Sequence, residues 1–146
     1  MGNFLILHDE CTALYNTYFY TQLMIEYQYN PGMEILEVYY EENLEFSEYE
    51  AYIQAIAENK KLPRKLKILT DARTANYTFA QDDIFRISDL LMAFIHNYEY
   101  VIIAMIHAKP AETAASMLFN RGSNSPKFRH EIFNTRQAAL NWLNIW

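Results

Sequence analysis

Apolar and polar positions alternate in two different ways along this chain, and the change falls near residue 47. Before it, the spacing is that of strands. Gln22–Tyr29 is followed by Asn30-Pro31-Gly32 and then by Met33–Glu41, and both flanking runs are rich in aromatic and aliphatic residues. Pro followed by Gly suits the middle of a tight turn, because Pro presets φ and Gly tolerates positive φ. The pair therefore predicts an antiparallel hairpin. Phe4–His8 predicts another strand, and Thr12–Thr21 fits either a strand or a short helix.

From Ser47 the period becomes helical. Ser47-Glu48-Tyr49-Glu50 matches a capping box, and Tyr49, Tyr52, Ile53, Ile56 and Ala57 follow on one face. Asn59–Pro63 ends that helix. Leu66–Asp71 reads as a strand. Thr78-Phe79-Ala80-Gln81 is a second capping-box match, opening a helix that carries Ile84, Ile87, Leu91, Phe94 and Ile95 to about Asn97. Tyr100–Ile106 is apolar on both faces, as in a sheet interior covered on each side. Pro110 sits where a first helical turn would start, and that helix can stop at Gly122. Lys127–Phe133 alternates as a strand, and Thr135 can cap a last helix containing Ala139, Leu140, Trp142 and Leu143. The expected fold class is α/β (α+β mixed). The sheet is mixed, with N-terminal antiparallel strands and a β-α-β-α-β-α C-terminal half of parallel strands.

Composition narrows the class. The chain has 146 residues, which suits one domain: an N-terminal extension over 1–20 and a core over 21–146. Three Gly, four Pro and 23 aromatic residues argue against disorder. No apolar run approaches the roughly 18–20 residues of a membrane span, and Phe4–Leu7 has no Lys or Arg before it, so no secretory signal is expected. The single Cys11 excludes an internal disulfide framework. A cytoplasmic protein is the expectation. The net charge of −6 hides a split: residues 1–59 hold 11 Asp/Glu and no Lys or Arg, and residues 60–146 hold 7 Asp/Glu and all 12 cations. Nine of the 12 tyrosines also fall in the first 52 residues. In this acidic chain, Lys60, Lys61, Arg64, Lys65 and Lys67 flank a helix end and read as a solvated loop, so no nucleic-acid partner is expected.

Several segments carry a resemblance. Leu66-Lys67-Ile68-Leu69-Thr70-Asp71, the late strand Tyr100–Ile106, Phe128–Phe133 and the closing Arg136-Gln137-Ala138-Ala139-Leu140-Asn141-Trp142-Leu143 together resemble the SpoIIAA-like family of the STAS fold, over roughly residues 21–146. The family ending is similar: a short Phe-bearing strand, then a helix with an Ala-Leu-x-Trp-Leu core. The resemblance implies a STAS/SpoIIAA-like mixed β-sheet with helices packed on it. It also implies a regulatory or protein-interaction role of the kind played by anti-sigma-factor antagonists. Those are switched by phosphorylation of a Ser in an Asp-Ser-x-Gly-like segment at a helix N-terminus. Here that entrance reads Thr78-Phe79-Ala80-Gln81-Asp82-Asp83, without Ser or Gly. Thr78 is the one candidate acceptor, its ordinary role would be an N-cap, and phosphate there would face Asp82 and Asp83. No phosphoswitch is therefore expected. The family's grouping with a lipid-carrier fold implies a hydrophobic-ligand alternative.

In open α/β sheets ligands bind beyond the carboxyl ends of the strands. That rule selects Asp71, Arg73 and Thr74 after one strand, and His107 and Lys109 after the next. Arg73, His107 and Lys109 would meet an anion, with Asp71 orienting one of them, and Arg121, in the polar loop Asn120–Pro126, would reach a ligand. The plain alternative is loop hydrogen bonds and solvated cations. The histidines, His8, His96, His107 and His130, include no i, i+4 pair, and His130-Glu131 lacks the second ligand of H-E-x-x-H, so no metal site is expected. Nothing brings Cys11 to a histidine as a nucleophile. With three Gly, no phosphate loop is possible, and no cofactor is expected.

Three functions remain, in this order. The first is a non-enzymatic SpoIIAA/STAS-like regulatory or interaction domain, as a homodimer using the acidic, tyrosine-rich N-terminal sheet edge. The second is a carrier or sensor of a small hydrophobic or anionic ligand held between helices and sheet. The third is an enzyme using Asp71, Arg73 and His107, which requires those side chains in one pocket.

Overall fold

The computed structural model describes residues 24–122 and 125–146. The strand expected at Phe4–His8, the segment Thr12–Thr21, and with them His8, Cys11, Tyr15, Tyr18 and Tyr20, lie outside the described residues, as do Ser123 and Asn124.

Among the described residues the order begins with a hairpin, β1 (Ile25–Asn30) and β2 (Ile35–Tyr40). A two-residue strand β3 (Asn43–Leu44) follows, then helix α1 (Phe46–Glu58) and strand β4 (Lys65–Asp71). Next come β5 (Asn76–Tyr77), α2 (Gln81–Ile95) and β6 (Tyr100–Ile106). The chain closes with α3 (Pro110–Gly122), β7 (Phe128–Phe133) and α4 (Arg136–Leu143). The main sheet runs β1-β2-β4-β6-β7, antiparallel between β1 and β2 and parallel elsewhere, so the mixed sheet expected from the sequence is present. β6, apolar on both faces, is an interior strand.

The strand order explains where the helices lie. From β2 through β4 and β6 to β7 each new strand is added on the same side. Right-handed crossovers then put every connecting helix on one face. Accordingly α1, α2 and α3 pack on the face that carries Leu36, Val38, Leu66, Ile68, Val101 and Ile103. α4, after the last strand, covers the opposite face with Ala139 and Leu143 against Leu69, Ile102, Ala104 and Ile106. The period-2 register keeps the sets apart: Ile68 pairs with Ile103 on the helix-rich face, and Leu69 with Ala104 on the other.

Local details differ from the sequence expectation in three places. In the hairpin, Asn30 Oδ1 accepts from the N–H groups of Gly32 (3.1 Å) and Met33 (3.2 Å). This side-chain turn closes the bend with Gly32 at negative φ, and the left-handed residue is Glu34 (φ 57°). Helix α1 begins before Ser47: Glu45 is its N-cap, and the Glu48 carboxylate accepts from the Glu45 N–H at 3.0 Å. Helix α2 starts after Ala80, whose N–H donates to Asp83 at 3.0 Å. Thr78 is not the cap; its hydroxyl donates to the Leu44 carbonyl at 3.1 Å. Thr135 does cap α4, accepting from the Ala138 N–H at 3.2 Å.

The short ribbon β3–β5 was not anticipated. It pairs Asn43 with Asn76 and Leu44 with Tyr77, and so joins the segments that leave the carboxyl ends of β2 and β4. Because α4 is the helix that covers this face among the described residues, shortening Leu143, which is fully buried, should be costly. Leu143→Ala is expected to lower the unfolding free energy by about 2–5 kcal/mol in urea denaturation. A loss below about 1 kcal/mol would show that α4 does not anchor that face.

Candidate functional site

Three helices bridging one sheet face leave a concavity beneath them. Its floor is Tyr40, Ile68, Thr70, Ile103 and Met105, from β2, β4 and β6. One wall is Tyr49, Tyr52, Ile53 and Ile56, a single face of α1. Ile84, Ile87 and Leu91 of α2 form the second wall, and Ala115, Ser116 and Phe119 of α3 the third. Tyr77 of the ribbon strand β5 and Phe79 just after it close the end, with His130 of β7 on the remaining side. The space open to the centre of a water molecule is about 50 Å³, and the whole concavity, its mouth included, encloses about 630 Å³. The smaller volume is room for water or a xenon atom; an organic molecule enters only if the helices above it move.

The aromatic lining packs edge to face, apart from one stacked pair. Tyr40 stands edge-on to Tyr49 (85°) and Tyr52 (79°), with centroids 6.2 and 6.4 Å away. Tyr77 stacks on Phe79 at 5.1 Å. Burial raises the phenol pKa values of Tyr40, Tyr49, Tyr52 and Tyr77 above the ordinary value. These hydroxyls are therefore neutral dipoles at physiological pH. No Lys or Arg lines the space. His130 contributes a neutral ring, its pKa pushed down by burial and by His107. Its Nδ1 is hydrogen-bonded to Asn120 Oδ1, and its ring lies edge-on to Phe119 at 5.2 Å.

Behind the α3 wall stands a buried polar group. His107 is 3% exposed, and its Nε2 lies 2.7 Å from Ser116 Oγ. Ser116 Oγ also lies 3.4 Å from Met105 Sδ. His107 Nδ1 is the one buried side-chain nitrogen or oxygen without a partner among the described residues. Burial lowers the His107 pKa to about 4, with the Glu112 charge opposing. Glu112 is itself buried and accepts from the Tyr77 N–H at 3.4 Å. On α3, Glu112, Ala115, Ser116 and Phe119 share one face.

The six residues selected from the sequence fall into separate groups, and none lines this cavity. Asp71 holds Arg73 in a two-point ion pair, Nε–Oδ1 2.9 Å and Nη2–Oδ2 2.6 Å. That pairing lowers the Asp71 pKa. By strand alternation Asp71 belongs to the α4 face with Leu69. Thr74 Oγ1 donates to the Tyr40 carbonyl at 3.3 Å. Lys109 Nζ donates to the carbonyls of Thr74 (3.4 Å) and Ala75 (3.1 Å) and to Asn76 Oδ1. It thereby clamps the loop that carries Tyr77 into the cavity. Arg121 is exposed in the last turn of α3. Hydrogen bonds thus join Asp71 to Arg73 and Lys109 to the Thr74–Asn76 loop, while His107 is bonded to Ser116, apart from both.

The cavity residues carried a weaker signal in the sequence. Tyr49 and Tyr52 stood out only as one apolar helix stripe, and Ser116 not at all. Tyr77 ends a strand of two residues, too short to show a period, and Phe79 follows it. Among the described residues no cluster of three or more His, Cys, Asp or Glu could hold a metal ion. No described helix is long and apolar enough to cross a membrane.

No family model matches the chain, and no curated protein matches it. Among solved structures it is similar to that of an uncharacterized protein of the DUF3478 family with a SpoIIAA-like fold from Shewanella loihica PV-4. The TM-score is 0.54 at 17% sequence identity, over 82% of this chain and 93% of that one. The fold described above is SpoIIAA-like.

The depressed His107 pKa sets a pH dependence. The unfolded imidazole binds a proton near 6.5 and the folded one near 4. The stabilisation is therefore full above about pH 6.5 and is lost as pH falls toward 4. Between pH 7.5 and pH 5 it should diminish by about 2 kcal/mol. His107→Gln keeps a donor for Ser116 without titrating, and its stability should fall correspondingly less over that range in urea unfolding. An identical fall in both proteins would contradict the assignment.

Proposed function

We propose that this chain is a non-enzymatic SpoIIAA-like regulatory domain whose signal is a small, largely apolar ligand taken up between the helices and the sheet. The observation that carries this reading is the cavity: a mostly apolar space with a few convergent polar groups, Ser116, Thr70 and the tyrosine hydroxyls. A phosphoswitch has less support, because the Thr78 hydroxyl is engaged with the Leu44 carbonyl. The enzyme alternative has less support as well, because Asp71 and Arg73 are bonded to each other and His107 to Ser116. Ligand entry would move α1, α2 or α3, and those helices form the surface a protein partner would read. Self-association at the acidic N-terminal side belongs to the same reading. There Tyr27 and Tyr39 are exposed, whereas Tyr40, Tyr49 and Tyr52 are turned into the core.

The neutral fluorescent probe N-phenyl-1-naphthylamine tests ligand uptake. Saturable binding of one probe per chain is expected. Ala115→Trp, which fills the space from the α3 wall, is expected to reduce it at least about tenfold while circular dichroism and cooperative unfolding are retained. Ala115→Leu provides a smaller plug should the Trp variant fail to fold. Unsaturable binding, or equal binding by the parent and a folded plugged variant, would refute uptake in the cavity.

A further inference from the structure

The carboxyl ends of the parallel strands tie down loops, and the amino ends carry a different surface. There, on the face covered by α4, side chains of neighbouring strands stand in register. Lys65 of β4 pairs with Tyr100 of β6. In the next row Lys67 pairs with Ile102, and Ile102 with Arg129 of β7. Lys127 comes just before β7, its carbonyl accepting from the Val101 N–H at 2.8 Å. The Lys65 ammonium lies 6.0 Å from the centre of the Tyr100 ring, and the Arg129 guanidinium 6.0 Å from that of Trp146. Lys60, Lys61 and Arg64, in the loop leading into β4, extend the charge round this end. None of these cations takes part in an ion pair among the described residues, whereas Arg73, Arg86 and Arg136 elsewhere do. Acids are fewer here: Glu34 in the hairpin bend, Glu58, Glu99 and Glu131.

Apolar groups stand beside the cations. Ile145 is 76% exposed, and Trp146, against Arg129, is 49% exposed. Met33 is exposed in the hairpin bend, which lies at the same end because Ile35 pairs with Lys67. Aliphatic and indole groups flanked by unpaired cations suit the headgroup region of an anionic bilayer. Phosphate and carboxylate meet Lys and Arg there, indole sits at the boundary, and an aliphatic side chain leaves water. A nucleic acid would use the cations and stack on Trp146, but it offers nothing to Ile145 and Met33. The rest of the charge orients the domain in the same sense. Glu41, Glu42, Glu45, Asp82 and Asp83 gather at the opposite, carboxyl end of the sheet, where the chain leaves β2 and enters α1 and α2. An anionic surface repels that end and attracts the other.

We infer that the amino end of the α4 face is a peripheral docking surface for an anionic lipid bilayer, with Lys65, Lys67, Lys127 and Arg129 on the headgroups and Ile145 and Trp146 entering the interface. Nothing in this contact requires an occupied cavity.

Sedimentation with sucrose-loaded vesicles tests the contact. One set is phosphatidylcholine alone, and the other carries about 30 mol % phosphatidylserine. The protein is expected to bind the anionic vesicles at least about tenfold more tightly than the neutral ones, and salt at about 0.5 M should abolish the difference. Lys65→Gln combined with Lys127→Gln changes two exposed side chains and should weaken binding to the anionic vesicles at least about tenfold. Arg73→Gln removes a cation at the opposite end of β4 and should change that binding less than about twofold. Ile145→Ser should weaken it about fivefold. No binding, equal binding to both vesicle sets, or a loss from Arg73→Gln as large as that from the lysine pair would overturn the inference. Undiminished vesicle binding by Ile145→Ser would overturn the insertion of that side chain. Tighter binding of a single strand of about 20 nucleotides than of the anionic vesicles would make the surface a nucleic-acid site instead. Salt-sensitive dimerisation that the lysine variant loses, without vesicle binding, would assign the surface to a second copy of the chain.

Discussion

The handedness of the β-α-β crossover is the constraint on which the rest of this structure depends. Strands β2, β4, β6 and β7 are laid down in one direction, so right-handed connections send α1, α2 and α3 to the same face. Three helices on one face must share it. Each presents one stripe of large side chains, and near the centre of the sheet these stripes meet over Thr70, Ile103 and Met105 without closing completely. Among the described residues the other face receives α4 alone, with contacts around Ala104 and Ala139. The asymmetry of the two faces is thus a topological result, and the cavity lies where topology gathers the most helices.

Charge is distributed to suit that arrangement. The N-terminal half is acidic and the C-terminal half basic, yet the two are joined across the sheet. Arg136 at the start of α4 meets Glu37 of β2 at 3.0 Å. Arg86 of α2 lies over the Phe46 ring of α1 at 4.1 Å. Cations of the second half therefore serve partly to hold elements of the first, at the surface and away from the cavity. Inside, desolvation holds the phenols of Tyr40, Tyr49, Tyr52 and Tyr77 and the imidazoles of His107 and His130 in their neutral forms. At the far end, Trp146 is 49% exposed and lies against Trp142 with Arg129 nearby, so the chain's last residue packs on the domain.

Much of the fold was legible because its signals are periodic and local. The hairpin, the doubly apolar β6, Pro110 at the head of α3 and Thr135 at the head of α4 each carry a pattern that burial or capping alone enforces. The helix starts at Ser47 and Thr78 were misplaced by two residues, because Glu45/Glu48 and Ala80/Asp83 offered competing acid caps that the sequence motif does not rank. The site was less legible. The rule that ligands sit at the carboxyl ends of strands found Asp71, Arg73, Thr74, His107 and Lys109, and the chain uses that end to tie down the Thr74–Asn76 loop and the ribbon β3–β5. The cavity instead draws one to four residues from each of eight separate elements, and one from a loop. Tyr49 and Tyr52 looked like core residues, and they are core residues that happen to border a gap. No local pattern distinguishes the two cases.

The central claim is that the helix-rich face encloses a real, occupiable apolar space. Diffraction from crystals of the protein under xenon pressure tests this most directly, because xenon enters dry apolar cavities and scatters strongly. A xenon peak bounded by Tyr49, Tyr77, Ile103 and Ser116 is the predicted result. Side chains collapsed into that region, with no xenon there and Tyr77 packed directly on Ile103, would contradict it.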